Sequence, residues 1–166
     1  MIDIEQPAMA LNAVDCPPPM KMWNSWDVRP NFKRTDIINW TAEVAKGAPG
    51  GKLKSVVICC HAEPAHLYLG EGFKKPHTHL FKTWKNLVET IYLQGCSIAA
   101  GDGYSFCAEI AVYANCHVVA ATVTQKIRAT TLPPGKIDVF EGMTITFAPN
   151  GKAVSKLGFP NDWTKD

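Results

Sequence analysis

Three short, nearly uninterrupted apolar runs constrain this chain more than any other feature: Leu53-Lys54-Ser55-Val56-Val57-Ile58-Cys59-Cys60, Thr90-Ile91-Tyr92-Leu93-Gln94, and His117-Val118-Val119-Ala120-Ala121-Thr122-Val123. Runs of strand length, rich in β-branched residues and lacking polar alternation, read as strands buried on both faces, the habit of parallel sheets. Two of them end on a side chain with chemistry, since His61 follows the first and Gly95-Cys96 follows the second. The carboxyl ends of parallel strands share one edge of the sheet, and ligands of α/β proteins bind at that edge. A thiol and an imidazole delivered there side by side are the smallest kit for a cysteine nucleophile with a histidine base.

Between the runs lie helical patterns. Thr35 and Asp36 can cap a helix whose apolar positions Ile37, Ile38, Trp40, Thr41, Val44 and Ala45 follow a 3.6-residue repeat up to Gly47 and Pro49-Gly50-Gly51. Residues 77–87 carry a weaker helical pattern, and Tyr104 to Ala114 form an amphipathic helix with Phe106, Cys107, Ile110, Ala111 and Ala114 inward. Strands alternating with helices predict an α/β fold: a mostly parallel sheet covered on both faces, a three-layer sandwich with right-handed crossovers. Ile137–Phe140 and Thr144–Phe147, split by Glu141-Gly142-Met143, predict a C-terminal antiparallel hairpin at one edge, with Asn150-Gly151 as a second tight turn.

With 166 residues, 46% of them hydrophobic, the chain is expected to form one core. Residues 1–20, punctuated by Pro7 and Pro17-Pro18-Pro19, read as an irregular leader, and 21–166 as a single domain opening on an alternating strand between Met20 and Val28. Seventeen basic residues against 15 acidic ones give a net charge of +2, which supplies no general drive toward nucleic acid or a membrane surface. No run reaches the roughly 18 apolar residues that a membrane span needs. The opening Met1-Ile2-Asp3-Ile4-Glu5 is acidic where a signal peptide would be basic, so the expected location is cytoplasmic.

Of the six cysteines, Cys59, Cys60, Cys107 and Cys116 fall in core elements and are expected to pack as small hydrophobes. Cys16 is expected to be an incidental thiol of the leader. His77 and His79, with His66, His61 or Cys60, offer imidazole and thiolate ligands, but two histidines two residues apart on a helix point about 200° apart, and no CxxC pair or HExxH accompanies them. Neither a metal nor another cofactor is expected. The glycines of Gly101-Asp102-Gly103 complete neither a dinucleotide fingerprint nor a P-loop.

A hydrophobic run ending in histidine, Cys60-His61-Ala62-Glu63-Pro64, followed by one ending Gln94-Gly95-Cys96-Ser97, resembles the two catalytic blocks of caspase-like cysteine peptidases, the group of caspases, gingipains and separases with their bacterial relatives. The resemblance spans residues 53–125. Ala62 stands where that family usually has glycine, and the distance from His61 to Cys96 is shorter than the roughly 50 residues of caspases.

The resemblance implies a caspase-like sheet and a hydrolase acting on a peptide or protein, with Cys96 as nucleophile and His61 as base. It also implies an oxyanion hole made of backbone N–H groups from Cys96 and the Ala62–Glu63 turn. Glu63 is a candidate for orienting His61. Asp102, flanked by glycines, reads first as a helix-capping aspartate and is also a candidate for a basic substrate residue; Gln125, at the end of the 117–123 strand, is a candidate ligand contact and equally an ordinary loop residue. The alternative is a non-catalytic caspase-like interaction module that keeps the fold without turnover.

Overall fold

The computed structural model describes residues 1–126 and 130–158, the side chains of 157 and 158 excepted. In chain order its strands are β1 (Ile2–Asp3), β2 (Ala8–Ala13), β3 (Asn24–Val28), β4 (Leu53–Cys59), β5 (Ala62–Glu63), β6 (His66–Leu67), β7 (Phe73–Lys74), β8 (Val88–Gln94), β9 (His117–Ala121), β10 (Lys136–Ile137), β11 (Met143–Phe147) and β12 (Ala153–Gly158). Two α-helices, α1 (Arg34–Gly47) and α2 (Gly103–Ala114), are joined by 3₁₀ segments at Pro49–Gly51 and Lys75–Trp84.

Seven strands form the central sheet in the order β12-β11-β9-β8-β4-β2-β3. The five from β9 to β3 run parallel, and β11 and β12 extend the β9 edge antiparallel. The three diagnostic runs are β4, β8 and β9, side by side. Parallel neighbours fix where their ends fall: β4 and β8 pair from Leu53↔Val88 to Cys59↔Gln94, so the residues beyond Cys59 and Gln94 leave the sheet together.

Residues 1–20 are not an irregular leader. Ala8–Ala13 is buried along its length and lies between β3 and β4, parallel to both. The apolar stretch from Ala8 to Val14 has the length of a strand, and the prolines on either side mark its ends. The hairpin also differs from expectation. Met143–Phe147 turns through Asn150-Gly151 to pair with Ala153–Gly158, whereas Ile137 pairs antiparallel with Ile2 in a separate two-stranded ribbon.

Alternation along the strands separates two apolar clusters. Met9, Leu11, Val56, Ile58, Ile91, Leu93, Val118 and Ala120 face the larger one, with Ile37, Ile38, Ala42 and Ala45 of α1, Phe81 and Trp84 of the 3₁₀ segment, and Phe106, Ile110 and Ala114 of α2. Ala8, Ala10, Val57, Cys59 and Ala121 face the other way, against Ile4, Met20, Leu132, Ile137 and Phe140. Both helices therefore cover the same face, and among the described residues the opposite face is packed by extended segments, not by a helical layer. Trp84, fully buried, fixes the α1 contact by donating its indole N–H to the Ile38 carbonyl at 2.9 Å.

Gly103 at the start of α2 is the tightest point of this packing. A Cβ there would fall 1.7 Å from the Ile98 carbonyl oxygen. Gly103→Ala is expected to cost at least about 3 kcal/mol in urea unfolding, the upper range for overpacking. Gly47, with open space around its Cβ position and no positive φ, is the control: Gly47→Ala is expected to stabilise by about 0.4–1 kcal/mol.

Candidate functional site

A cleft of about 190 Å³ opens at the carboxyl edge of the parallel strands, lined by Asp15, Cys16, Pro17, Cys60, His61, Gln94, Gly95, Cys96 and Gln125. The register brings His61 and Cys96 to it together, because each lies two residues beyond the Cys59↔Gln94 pair. The last link between the two strands is the Cys60 N–H donating to the Gln94 carbonyl at 3.4 Å.

His61 is held by its Nε2, 3.0 Å from the backbone carbonyl of Asp15. A carbonyl only accepts, so Nε2 carries the proton and a neutral ring keeps its lone pair on Nδ1. Asp15 belongs to the loop after β2, and Asn12, buried, braces that loop. Its Nδ2 donates to the Met20 carbonyl and its Oδ1 accepts the Met20 N–H, both at 2.9 Å.

On the other side of the cleft, the Gln125 N–H points at the Cys96 sulfur from 3.4 Å, and the Cys96 thiol lies 3.6 Å from the Gln125 carbonyl. Ser97, next in the chain, holds a left-handed φ of 53° and donates its N–H to the Val123 carbonyl at 2.9 Å. A non-glycine residue in that region stores strain of about 1–3 kcal/mol, and such strain concentrates at functional sites. The Cys96 N–H meets no backbone acceptor among the described residues.

The other candidates are distributed differently. Ala62 and Glu63 form β5, in a small antiparallel sheet with β6 and β7. Ala62 has no positive φ, so the turn after His61 does not require glycine. Glu63 does not orient His61. Its exposed carboxylate accepts from the Tyr68 hydroxyl at 2.8 Å and meets His66 Nδ1 at 3.1 Å, and these contacts hold it below the usual carboxylate range. Asp102 occupies the N-cap position of α2 and is exposed, without a side-chain cap bond and outside the cleft lining. Gln125 reaches the cleft with its backbone. Its side-chain amide is spent on Val123 and Glu141, donating to both carbonyls at 3.0 Å and accepting the Glu141 N–H at 2.8 Å.

Asp15, Cys16 and Gln94 complete the cleft and were not singled out from the sequence. Gln94 is 4% exposed, and its Oε1 has no hydrogen-bond partner among the described residues. An orphaned amide oxygen beside a cleft is a ready acceptor for a ligand N–H. Its signal was its position two residues before Cys96. Cys16 is not an incidental thiol: it is half-buried, with its sulfur 3.7 Å from that of Cys59. Cys59, Cys60, Cys107 and Cys116 are buried as expected, and burial holds the Cys60 and Cys107 thiols well above the ordinary range and pushes Cys116 up to about 12. Among the described residues no three His, Cys, Asp or Glu side chains converge as a metal site would require. No protein-family model and no curated protein matches the chain.

Gly95 sets how closely the two strand ends approach. A Cβ on it would lie 2.7 Å from the Cβ of Ala62 and 3.1 Å from the Cys60 carbonyl oxygen. Gly95→Ala is expected to lose about 1–3 kcal/mol of stability, and adding Ala62→Gly is expected to recover most of it in a double-mutant cycle. Removing the Asn12 amide leaves the Met20 N–H and carbonyl unpaired. Asn12→Ala is expected to cost about 1–3 kcal/mol and to abolish hydrogen-exchange protection at the Met20 amide.

Proposed function

We propose that this protein is a cysteine-dependent hydrolase of the caspase-like kind, a peptidase in which Cys96 attacks the substrate carbonyl and His61 manages the proton. The observation that carries this reading is the shared cleft, with His61 pinned through Nε2 to the Asp15 carbonyl and Cys96 across the same strand ends. The mostly parallel sheet, with its histidine and cysteine blocks on adjacent strands, is in keeping with the caspase-like resemblance.

In this mechanism Nδ1 of His61 takes the Cys96 proton. The sulfur bonds to the carbonyl carbon, and the oxygen gains the electron pair, facing the Cys96 N–H. The imidazolium so formed keeps its Nε2–H on the Asp15 carbonyl, which stabilises the positive charge. As the tetrahedral centre collapses, the C–N bond breaks and the leaving amine takes the proton from Nδ1. Water, deprotonated by the same nitrogen, then attacks the thioester, and the Cys96 sulfur departs and recovers the proton. Gln94 Oε1 accepts an N–H of the bound substrate.

The test is cleavage of a peptide library by the full chain together with labelling by an electrophilic thiol probe. Cys96→Ala is expected to abolish cleavage, and His61→Ala to lower its rate by about 10²- to 10⁴-fold and to slow probe capture at position 96. Asp15→Ala is expected to retain most of the activity, because the backbone, not the carboxylate, holds the imidazole. Probe capture at Cys96 that ignores His61→Ala, with no cleavage, would instead favour the non-catalytic interaction module.

A further inference from the structure

Cys16 and Cys59 form a thiol pair that the hydrolase reading does not use. Their sulfurs are 3.7 Å apart, and the Cys59 thiol donates toward both the Cys16 sulfur and the Cys16 carbonyl oxygen, the latter also at 3.7 Å. Cys59 is fully buried at the end of β4, whereas Cys16 rides on the loop between β2 and β3. That loop borders two hollows of about 190 and 160 Å³, so a small reagent reaches Cys16 from either side while Cys59 stays shielded behind it.

We propose that Cys16 and Cys59 are a peroxide-reactive pair that closes into a reversible disulfide, with Cys16 as the attacking thiol and Cys59 as the resolving one. The oxidant is hydrogen peroxide or an organic hydroperoxide. The Cys16 thiolate bonds to one peroxide oxygen, the O–O bond breaks, and the other oxygen leaves as hydroxide and is protonated, giving Cys16 sulfenic acid. The Cys59 sulfur then bonds to the Cys16 sulfur as the S–O bond breaks. The hydroxyl leaves with the Cys59 proton as water. Two thiols and one peroxide thus become one disulfide and two waters, and a dithiol reductant reverses the change.

The surroundings divide the roles. The thiol of Cys59 pointing at Cys16 draws the Cys16 pKa down to about 7, against the opposing effects of burial and the Asp15 carboxylate. The hydrogen bond to Cys16 and its own burial, with smaller contributions from the charge on Cys16 and Cys60, hold Cys59 protonated far above the ordinary thiol range. A thiolate in front of a shielded, protonated partner is the arrangement of an attacking and a resolving cysteine. The sulfurs must close to about 2.05 Å, and the displacement falls to the loop, since Cys59 is fixed in the sheet.

The experiment treats the reduced full-length chain with hydrogen peroxide and follows intact mass and the peptide map. A loss of two hydrogen atoms and a Cys16–Cys59 linked peptide are expected, both reversed by dithiothreitol. The rate should rise with pH through neutrality, earlier than for an ordinary thiol, as the Cys16 thiolate forms. Cys16→Ser, a half-exposed loop change, should remove the link, and Cys59→Ala should leave a Cys16 sulfenic acid that dimedone traps. If Cys59→Ala fails to fold, the unsubstituted chain and Cys16→Ser decide the matter. Bridging of Cys16 to Cys96, oxidation confined to Cys96, or no linked peptide overturns the proposal. Repeating the reaction on Cys96→Ala separates it from the hydrolase reading, since the link must form there undiminished.

Discussion

The parallel register of β4 against β8 is the constraint on which the rest of this molecule depends. Parallel strands leave a sheet at the same edge, so the Cys59↔Gln94 pair commits His61 and Cys96 to a common exit whatever the loops do afterwards. Shifting that register by one residue would turn one of the two to the opposite face. The close packing of β4 on both faces opposes such a slip, because Val56 and Ile58 belong to one cluster and Val57 and Cys59 to the other. The apolar core, not any bond between the two polar residues, brings them together.

That geometry costs something in side-chain space. The strand ends come so close that only one of Ala62 and Gly95 has room for a Cβ, and the chain keeps it on Ala62. The family resemblance has its glycine after the histidine, and here the bare backbone lies before the cysteine instead. Because Ala62 adopts an ordinary extended conformation, the departure carries no backbone strain on the histidine side. The strain sits after Cys96, where Ser97 is held left-handed by its bond to Val123.

The strands and helices that carry His61 and Cys96 were legible because burial on both faces writes itself as an apolar run and amphipathic helices as a 3.6-residue repeat. The loop that holds His61 was not legible. Ala8–Ala13 is short, half alanine, and fenced by prolines, so its composition resembled a leader while its register made it an interior strand. The contact it delivers is a backbone carbonyl, which any residue at position 15 would supply, and sequence is blind to such a group. Gln125 lies at a strand end and lines the cleft, while its amide is held by Glu141 and Val123. Asp102 capped its helix by position alone, and Glu63 was taken by Tyr68 and His66.

The thiols show how neighbouring residues in one sequence come to have unlike chemistry. Cys59 and Cys60 are adjacent, and strand alternation sends one toward each face of the sheet. Cys60 meets apolar side chains of the helical face, where the charged form has little to stabilise it, so it is inert packing. Cys59 faces the side that helices do not cover and meets Cys16 on the loop that also grips His61. The carboxyl edge gathers the imidazole, the braced carbonyl and the sulfurs of Cys16, Cys60 and Cys96 around one hollow. Chemistry collects there because loops, unlike helices, leave backbone carbonyls and polar side chains free to turn inward.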